Sequence, residues 1–335
     1  MKKLKTLWLY TNLPILLAIV LYILIYFLRI QQGGWDLKLD LFKTQRQALD
    51  LRIANLLPSP QAEILSGILL GQNKSLPGKV KLALRDTSTI HIVVASGQNL
   101  SMVAGFILAL SPLIKRKSAI ILSFLTVIGY ICLTGFQVPI LRAAIMFTLA
   151  STAQFFGRQR DGVWVLIMTG GLMLLVNPAW ITNLSFQLSF LATIGVIVVA
   201  PILLRFFKKI PIISQDLSVS LGAQLMVTPI IAQNFHQFSI VGLLANLFVL
   251  WTISFIMILG TIMLLLSYVS QFLASVVALS VSVLLTYFLY IVEFFASLPF
   301  AWEYVGEQIW IVWIGYYLVL TSVMLSLSHG KKDDY

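Results

Sequence analysis

The chain has 335 residues, 59% of them hydrophobic and only 10% charged, with a mean hydropathy of +0.95. Soluble domains run at about 45–50% apolar and about 25% charged, so these proportions exclude a water-soluble globule. A net charge of +11 would point to nucleic acid in a soluble protein; in a membrane protein, cytoplasmic loops and anionic headgroups account for most of it.

The amino terminus reads Met-Lys-Lys-Leu-Lys before an apolar run from Trp8 to Leu28. That run is too long for a signal peptide and no small-residue cleavage pattern follows it. It predicts a retained transmembrane helix over 1–28 with its basic end in the cytoplasm. Residues 29–87 are expected to form a basic amphipathic extracytoplasmic segment, carrying nine of the 23 basic residues and five acids. Within it Leu49, Ile53, Leu56 and Leu57 recur at helical spacing beside Arg46, Asp50 and Arg52, the pattern of a helix lying on the membrane surface. Pro58 and Pro60 end it, and the apolar stretch Glu63–Gly71 is too short to span.

From 88 to 330 the apolar runs crowd together as one polytopic domain. Spans are expected over 90–113, 118–136, 138–157, 162–177, 184–207, 217–235, 239–267, 271–298 and 308–328. The expected fold class is therefore an all-α polytopic integral membrane protein with about ten transmembrane helices and re-entrant or amphipathic segments. As one helix, 239–267 would be about 43 Å long, which predicts strong tilt or a break near Gly260. Gln224, Pro229, Gln233 and Asn234 interrupt 217–235. If ten helices alternate, the clusters at 2–5, 115–117, 158–160, 205–209 and 331–332 share one side, and Glu303 and Glu307 take the other. The positive-inside rule then puts both termini in the cytoplasm of a cell-membrane protein.

Polar residues in apolar helices are costly and normally face protein or a water-filled cavity. The first dense group is His91-Ile-Val-Val-Ala-Ser96-Gly97-Gln98-Asn99, equally compatible with helix–helix hydrogen bonding around a small-residue contact and with a functional site. The second is Thr134-Gly135-Phe136-Gln137-Val138-Pro139-Ile140-Leu141-Arg142-Ala143. Arg142 stands out as a basic residue well inside an apolar run, where an unpaired guanidinium costs about 2.5–3.5 kcal/mol. It needs a carboxylate, helix C-terminal carbonyls or a passing anion, unless it snorkels to the interface; Glu293, the lone acid of the late helices, is a candidate partner. The third group is Asn177-Pro178 with Leu184-Ser185-Phe186-Gln187-Leu188-Ser189, where Ser185 and Ser189 share a face as a packing seam. The fourth, Gln224, Gln233, Asn234, His236, Gln237 and Ser239, has too many amides for a lipid-facing span and suits a re-entrant or cavity-lining segment. His91, His236 and His329 stand far apart and Cys132 is the single cysteine. No metal-ligand spacing, cofactor or disulfide is expected from them.

These blocks, in this order, resemble the membrane domain of the ComEC family of competence proteins. HIVVASGQN at 91–99 resembles that family's His-x-x-x-x-Ser-Gly-x-His block, TGFQVPILRAAIM at 134–146 its Thr-Gly…Arg-Ala block, and LSFQLSFLA at 184–192 its Phe-Gln-Leu-Ser-Phe-x-Ala block. ILSGILLGQNKSLP at 64–77 and the stretch 224–247 follow the family's pattern too, so the likeness covers roughly 45–325. Asn99 departs from it, standing where the family commonly has a second histidine.

The resemblance implies a channel or translocase component that passes single-stranded DNA across the cytoplasmic membrane during natural transformation. His91, Ser96, Gly97, Asn99, Arg142, Gln187, Gln224 and His236 would line the path. Arg142 would act as its fixed cation, and Phe136 or Phe186 as base-stacking platforms. The soluble DNA-binding and nuclease modules of larger members are not seen, and no GxxxxGK[ST] motif is present. A channel core served by separate receptor, nuclease and ATPase proteins is therefore expected, with homo-oligomerisation open and no enzymatic activity of its own. Two other classes remain: an intramembrane hydrolase using Ser96 and His236 as a dyad, and a small-solute permease.

Overall fold

A computed structural model describes residues 2–35, 42–72, 76–94, 96–158, 161–208 and 213–329, of which 2–16 and 328–329 as backbone only. The protein is an all-α polytopic membrane protein. Among the described residues, six helices are long and apolar enough to cross a bilayer: Arg116–Thr134, Val138–Phe155, Leu184–Phe207, Gly242–Leu266, Gln271–Ala296 and Trp310–Leu327.

In chain order the first helices are α1 (Lys2–Gln32), α2 (Lys43–Leu56), α3 (Gln61–Leu70), α4 (Gly78–Asp86), α5 (Ile90–Val93), α6 (Gly97–Ala109) and α7 (Ser111–Ile114). They are followed by α8 (Arg116–Thr134), α9 (Val138–Phe155), α10 (Gly162–Val176) and a 3₁₀ turn at Pro178–Thr182. Next comes α11 (Leu184–Ile194), which runs through a π-helical segment at Gly195–Val199 into α12 (Ala200–Phe207). The last helices are α13 (Ser214–Phe235), α14 (Gly242–Leu266), α15 (Gln271–Ala296) and α16 (Trp310–His329). A pair of three-residue strands, β1 (Gln237–Ser239) and β2 (Trp302–Tyr304), closes an antiparallel ladder with Phe238 opposite Glu303.

Local chemistry explains most of the helix ends. Asp161 caps α10 through Val163 N (2.9 Å), Asn183 caps α11 through Ser185 N (2.9 Å), and Ser270 caps α15. Each satisfies amides that have no carbonyl partner within the helix. His236 ends α13 in the left-handed region at φ 55°.

The largest core cluster joins α2, α3 and α4 to α14 and α15, around Ile64, Leu65, Ile256, Leu285 and Phe288. The helix expected over 49–57 is α2, and it is amphipathic: Leu51, Ala54 and Asn55 lie on an exposed face. Arg46, Ile53 and Leu57 face inward and are buried, and all of α3 from Ile64 to Leu70 is buried as well. Along α3 the neighbours advance from Thr286, bonded to Gln61 Nε2 (3.3 Å), to Gly260, where an added Cβ would stand 2.8 Å from Leu65 Cδ1. α3 thus runs buried along the α14–α15 pair, with α2 packed on it by one face and exposed on the other.

Two expectations are corrected. The run 90–113 is not one span: Val94 is extended, Ser96 starts a new helix, and α6 has 13 residues, about 20 Å. The run 239–267 does not break at Gly260, since α14 is continuous from Gly242 to Leu266 and its glycine serves the close approach to α3. Arg46 donates to Leu133 O (3.0 Å) and Arg52 to Ser267 O (3.0 Å), so α2 bridges the last turn of α8 and the end of α14.

Candidate functional site

Three of the polar blocks meet where the N-terminus of α6 packs on α9 and α9 packs on α11. Ser96, in extended backbone, caps α6: its Oγ accepts from Asn99 N (3.3 Å) and donates to Asn99 Oδ1 (3.1 Å). That fixes the buried Asn99 amide, whose Nδ2 donates to Ile68 O of α3 (3.0 Å); Tyr130 OH of α8 reaches the same carbonyl at 3.5 Å. Gly97 lies against α9. A Cβ there would stand 2.9 Å from Ala143 Cβ and 3.1 Å from Arg142 Nη2.

Arg142, one turn into α9 after Pro139, is held from the other side by α11. Its Nε donates to Ser189 Oγ (2.6 Å), and its Nη1 donates to Thr193 Oγ1 and contacts Met146 Sδ (3.4 Å). All these partners are neutral. Glu293, the candidate partner, is exposed on α15 and is not among Arg142's described partners. The guanidinium keeps its charge beside the N-terminus of α6, itself the positive end of a helix. Two positive features converge there with no carboxylate among Arg142's described partners.

Two residues beyond Thr193 the α11 backbone opens into the π segment, a form frequent at functional sites. There a Cβ at Gly195 would stand 2.2 Å from Gly222 O of α13, so the two backbones touch.

Of the eight residues expected to line a path, the structure brings together Ser96, Gly97, Asn99 and Arg142. The others lie elsewhere. His91 is exposed, with Nδ1 bonded to Ser88 O at 2.8 Å. Gln187 Nε2 bonds Ile181 O (3.0 Å) in the 3₁₀ turn. Gln224 Nε2 reaches Ser239 O (3.4 Å), while its Oε1 and His236 Nδ1 are buried without a hydrogen-bond partner among the described residues. Those two belong to a second polar group around the β1–β2 ladder, where Trp313 Nε1 also donates to Gln233 Oε1 (2.6 Å). Ser96 Oγ is bonded to Asn99, and no described hydrogen bond joins it to His91 or His236. Phe186 is buried and stacked on Phe190 (4.3 Å between centroids), which removes it as a platform for a base.

Sequence reasoning missed Thr193 and Arg46. Thr193 continues the i, i+4 series of Ser185 and Ser189, and that spacing was the available signal. Ser185, assigned with Ser189 to a packing seam, is exposed. Arg46 is 6% exposed, deeper than any other charged residue described, and shares the inward face of α2 with Ile53 and Leu57.

A family model described as "Competence protein" matches residues 68–330. The chain belongs to this family. Its relatives include ComE operon protein 3 of Bacillus subtilis (strain 168), 28% identical over 196 residues, which covers 58% of this chain and 25% of that protein. An uncharacterized protein of Aquifex aeolicus (strain VF5) is 33% identical over 166 residues, 49% of this chain and 38% of the relative. The uncharacterized protein YcaI of Escherichia coli (strain K12) is 27% identical over 225 residues, 59% and 28%. The chain therefore spans well under half the length of each of these relatives. No solved structure matches it. The matched region takes in every residue of the Arg142 cluster, from Ile68 at its first position to Thr193.

Proposed function

We propose that this competence-family chain is the membrane component that passes single-stranded DNA across the cytoplasmic membrane during natural transformation, with both termini in the cytoplasm. A separate receptor, nuclease and ATPase would serve it, and homo-oligomers are compatible with the reading. The carrying observation is Arg142: a half-buried guanidinium whose described hydrogen-bond partners are neutral, set beside the N-terminus of α6.

A polyanion crossing a low-dielectric slab needs each phosphate compensated on the way. A cation that was fully neutralised by a carboxylate could not supply this. Ser189 and Thr193 orient Arg142 without cancelling its charge, so it can meet a phosphate and release it. One such cation favours passage over trapping, because a site must bind weakly enough to let its ion leave. The polar atoms left unpartnered on Gln224 and His236 suit hydrogen bonds to the edges of bases further along.

The test is internalisation of labelled single-stranded DNA by cells with equal membrane levels of each variant. Arg142→Ala abolishes internalisation. Arg142→Lys keeps part of it, and the double change Ser189→Ala with Thr193→Val, which keeps the charge and loosens its position, lowers it. Wild-type behaviour of Arg142→Ala would sink the reading. Small-solute uptake independent of DNA would replace it with a permease.

A further inference from the structure

A second cationic site lies away from Arg142, where the α2 helix meets the turn between α14 and α15. A cleft of about 300 Å³ is lined there by Arg52, Asn55, Leu56, Ser267 and Gln271. No carboxylate lines it among the described residues. Arg52 is fixed in place: Nη1 donates to Ser267 O (3.0 Å) and Ser267 Oγ (3.4 Å), and its guanidinium carbon sits 4.0 Å over the Tyr268 ring. Such a clamp costs little further ordering when a ligand arrives. The amides of Asn55 and Gln271 stand at the rim, and the first turn of α15 adds backbone N–H groups without partners in the helix.

The surroundings decide what the cleft receives. α14 and α15 are both long enough to cross the bilayer, so the turn at 267–270 sits at a membrane face. Beside the cleft, Val269 is 79%, Phe272 75%, Leu51 66% and Tyr268 62% exposed. A soluble anion would leave these apolar side chains in water; a lipid places its headgroup in the cleft and its acyl chains over them.

We propose that the cleft of Arg52, Asn55, Ser267 and Gln271 binds the phosphate-bearing headgroup of an anionic membrane phospholipid. Arg52 supplies the charge in a planar fork suited to phosphate, and the amides complete the donor set. Lipid bound there would brace the α2–α3 hairpin against the α14–α15 pair.

The experiment uses the purified full chain in neutral-detergent micelles, with bound lipid counted by native mass spectrometry and stability followed by thermal melting. Phosphatidylglycerol is expected to bind and raise the melting temperature, and phosphatidylcholine and inorganic phosphate are not. Asn55→Ala combined with Gln271→Ala leaves the Arg52–Ser267 contact intact, so folding is preserved. It should weaken phosphatidylglycerol binding about tenfold, the scale of one hydrogen bond to a charged group. Arg52→Gln should weaken it further. Equal retention of the two lipids, or unchanged binding in the double variant, would overturn the proposal and leave Arg52 as the cap of α14. Tight binding of inorganic phosphate alone would overturn it in favour of a free anion. Displacement of the lipid by a single-stranded oligonucleotide would assign the cleft to nucleic acid.

Discussion

Gly97 and Ala143 bring two helices together so closely that a Cβ on the glycine would stand 2.9 Å from that of the alanine. The same Cβ would stand 3.1 Å from Arg142 Nη2 and 3.4 Å from Pro139 O. The first and last of these neighbours are rigid, so the helix must shift. Gly97→Ala is therefore expected to push the N-terminus of α6 off α9 and to disturb the placement of Arg142. A small-to-large change of this kind costs about 1–3 kcal/mol. DNA internalisation should fall while the protein still reaches the membrane. Gly105→Ala, on the same helix with open space at its Cβ, is the control. Equal activity of the two variants would show that the close approach does not matter.

Asn99 makes the second testable contact. Its Nδ2 bond to Ile68 O is buried and joins segments 31 residues apart. Asn99→Leu removes the donor and leaves that carbonyl only the 3.5 Å contact with Tyr130. The expected loss is about 1 kcal/mol of stability, read as a lower melting temperature in detergent. Asn99→Asp should cost more, since a carboxylate cannot donate to Ile68 O and a buried charge is added. A melting temperature unchanged in both would remove this bond from the list of stabilising contacts.

The membrane class and the polar blocks were legible in the sequence, because a bilayer leaves polar side chains only protein or water to face. Which block meets which was not. Arg142 takes the hydroxyls of Ser189 and Thr193 rather than Glu293, a choice made by how α9 lies on α11 and invisible to spacing. The break before α6 left a mark, Ser96 with Asn99 three residues on, but the average hydropathy of 90–113 concealed it. The burial of α3 escaped because a mostly apolar helix of ten residues suits a buried position as well as an interfacial one. The β1–β2 ladder pairs segments more than 60 residues apart with no hairpin turn between them. Gly260 was noticed for the wrong reason: glycine weakens a helix, yet here it makes room for Leu65.

The crossing of Gly195 and Gly222 gives a third prediction. A Cβ on Gly195 would meet Gly222 O at 2.2 Å, and one on Gly222 would meet Gly195 O at 2.8 Å. Both obstacles are backbone and cannot rotate away. Gly195→Ala should destabilise by at least the 1–3 kcal/mol typical of overpacking, and Gly222→Ala by less. Because Thr193 lies two residues before the π segment, the Gly195 change should also lower DNA internalisation when membrane levels are matched. Wild-type melting for Gly195→Ala would mean that α11 and α13 do not pack as described.

Arg46 provides the last prediction, because its depth would be costly without return. It is 6% exposed, and its Nη1 donates to Leu133 O in the last turn of α8, where carbonyls have no partner in the helix. A cation at that end also meets the negative pole of the helix. Arg46→Met keeps most of the apolar stem and removes the charged donor, leaving Leu133 O exposed to the loss. The expected cost is about 1.5–3 kcal/mol, the range for hydrogen bonds from charged groups. Arg46→Lys should recover part of it, as a point charge without the planar fork. Leu51→Met, 66% exposed on the same helix, should stay within about 0.5 kcal/mol of wild type. Melting temperatures of the three variants in one detergent decide the matter. If Arg46→Met melts no lower than Leu51→Met, the guanidinium is not what holds α2 to the end of α8.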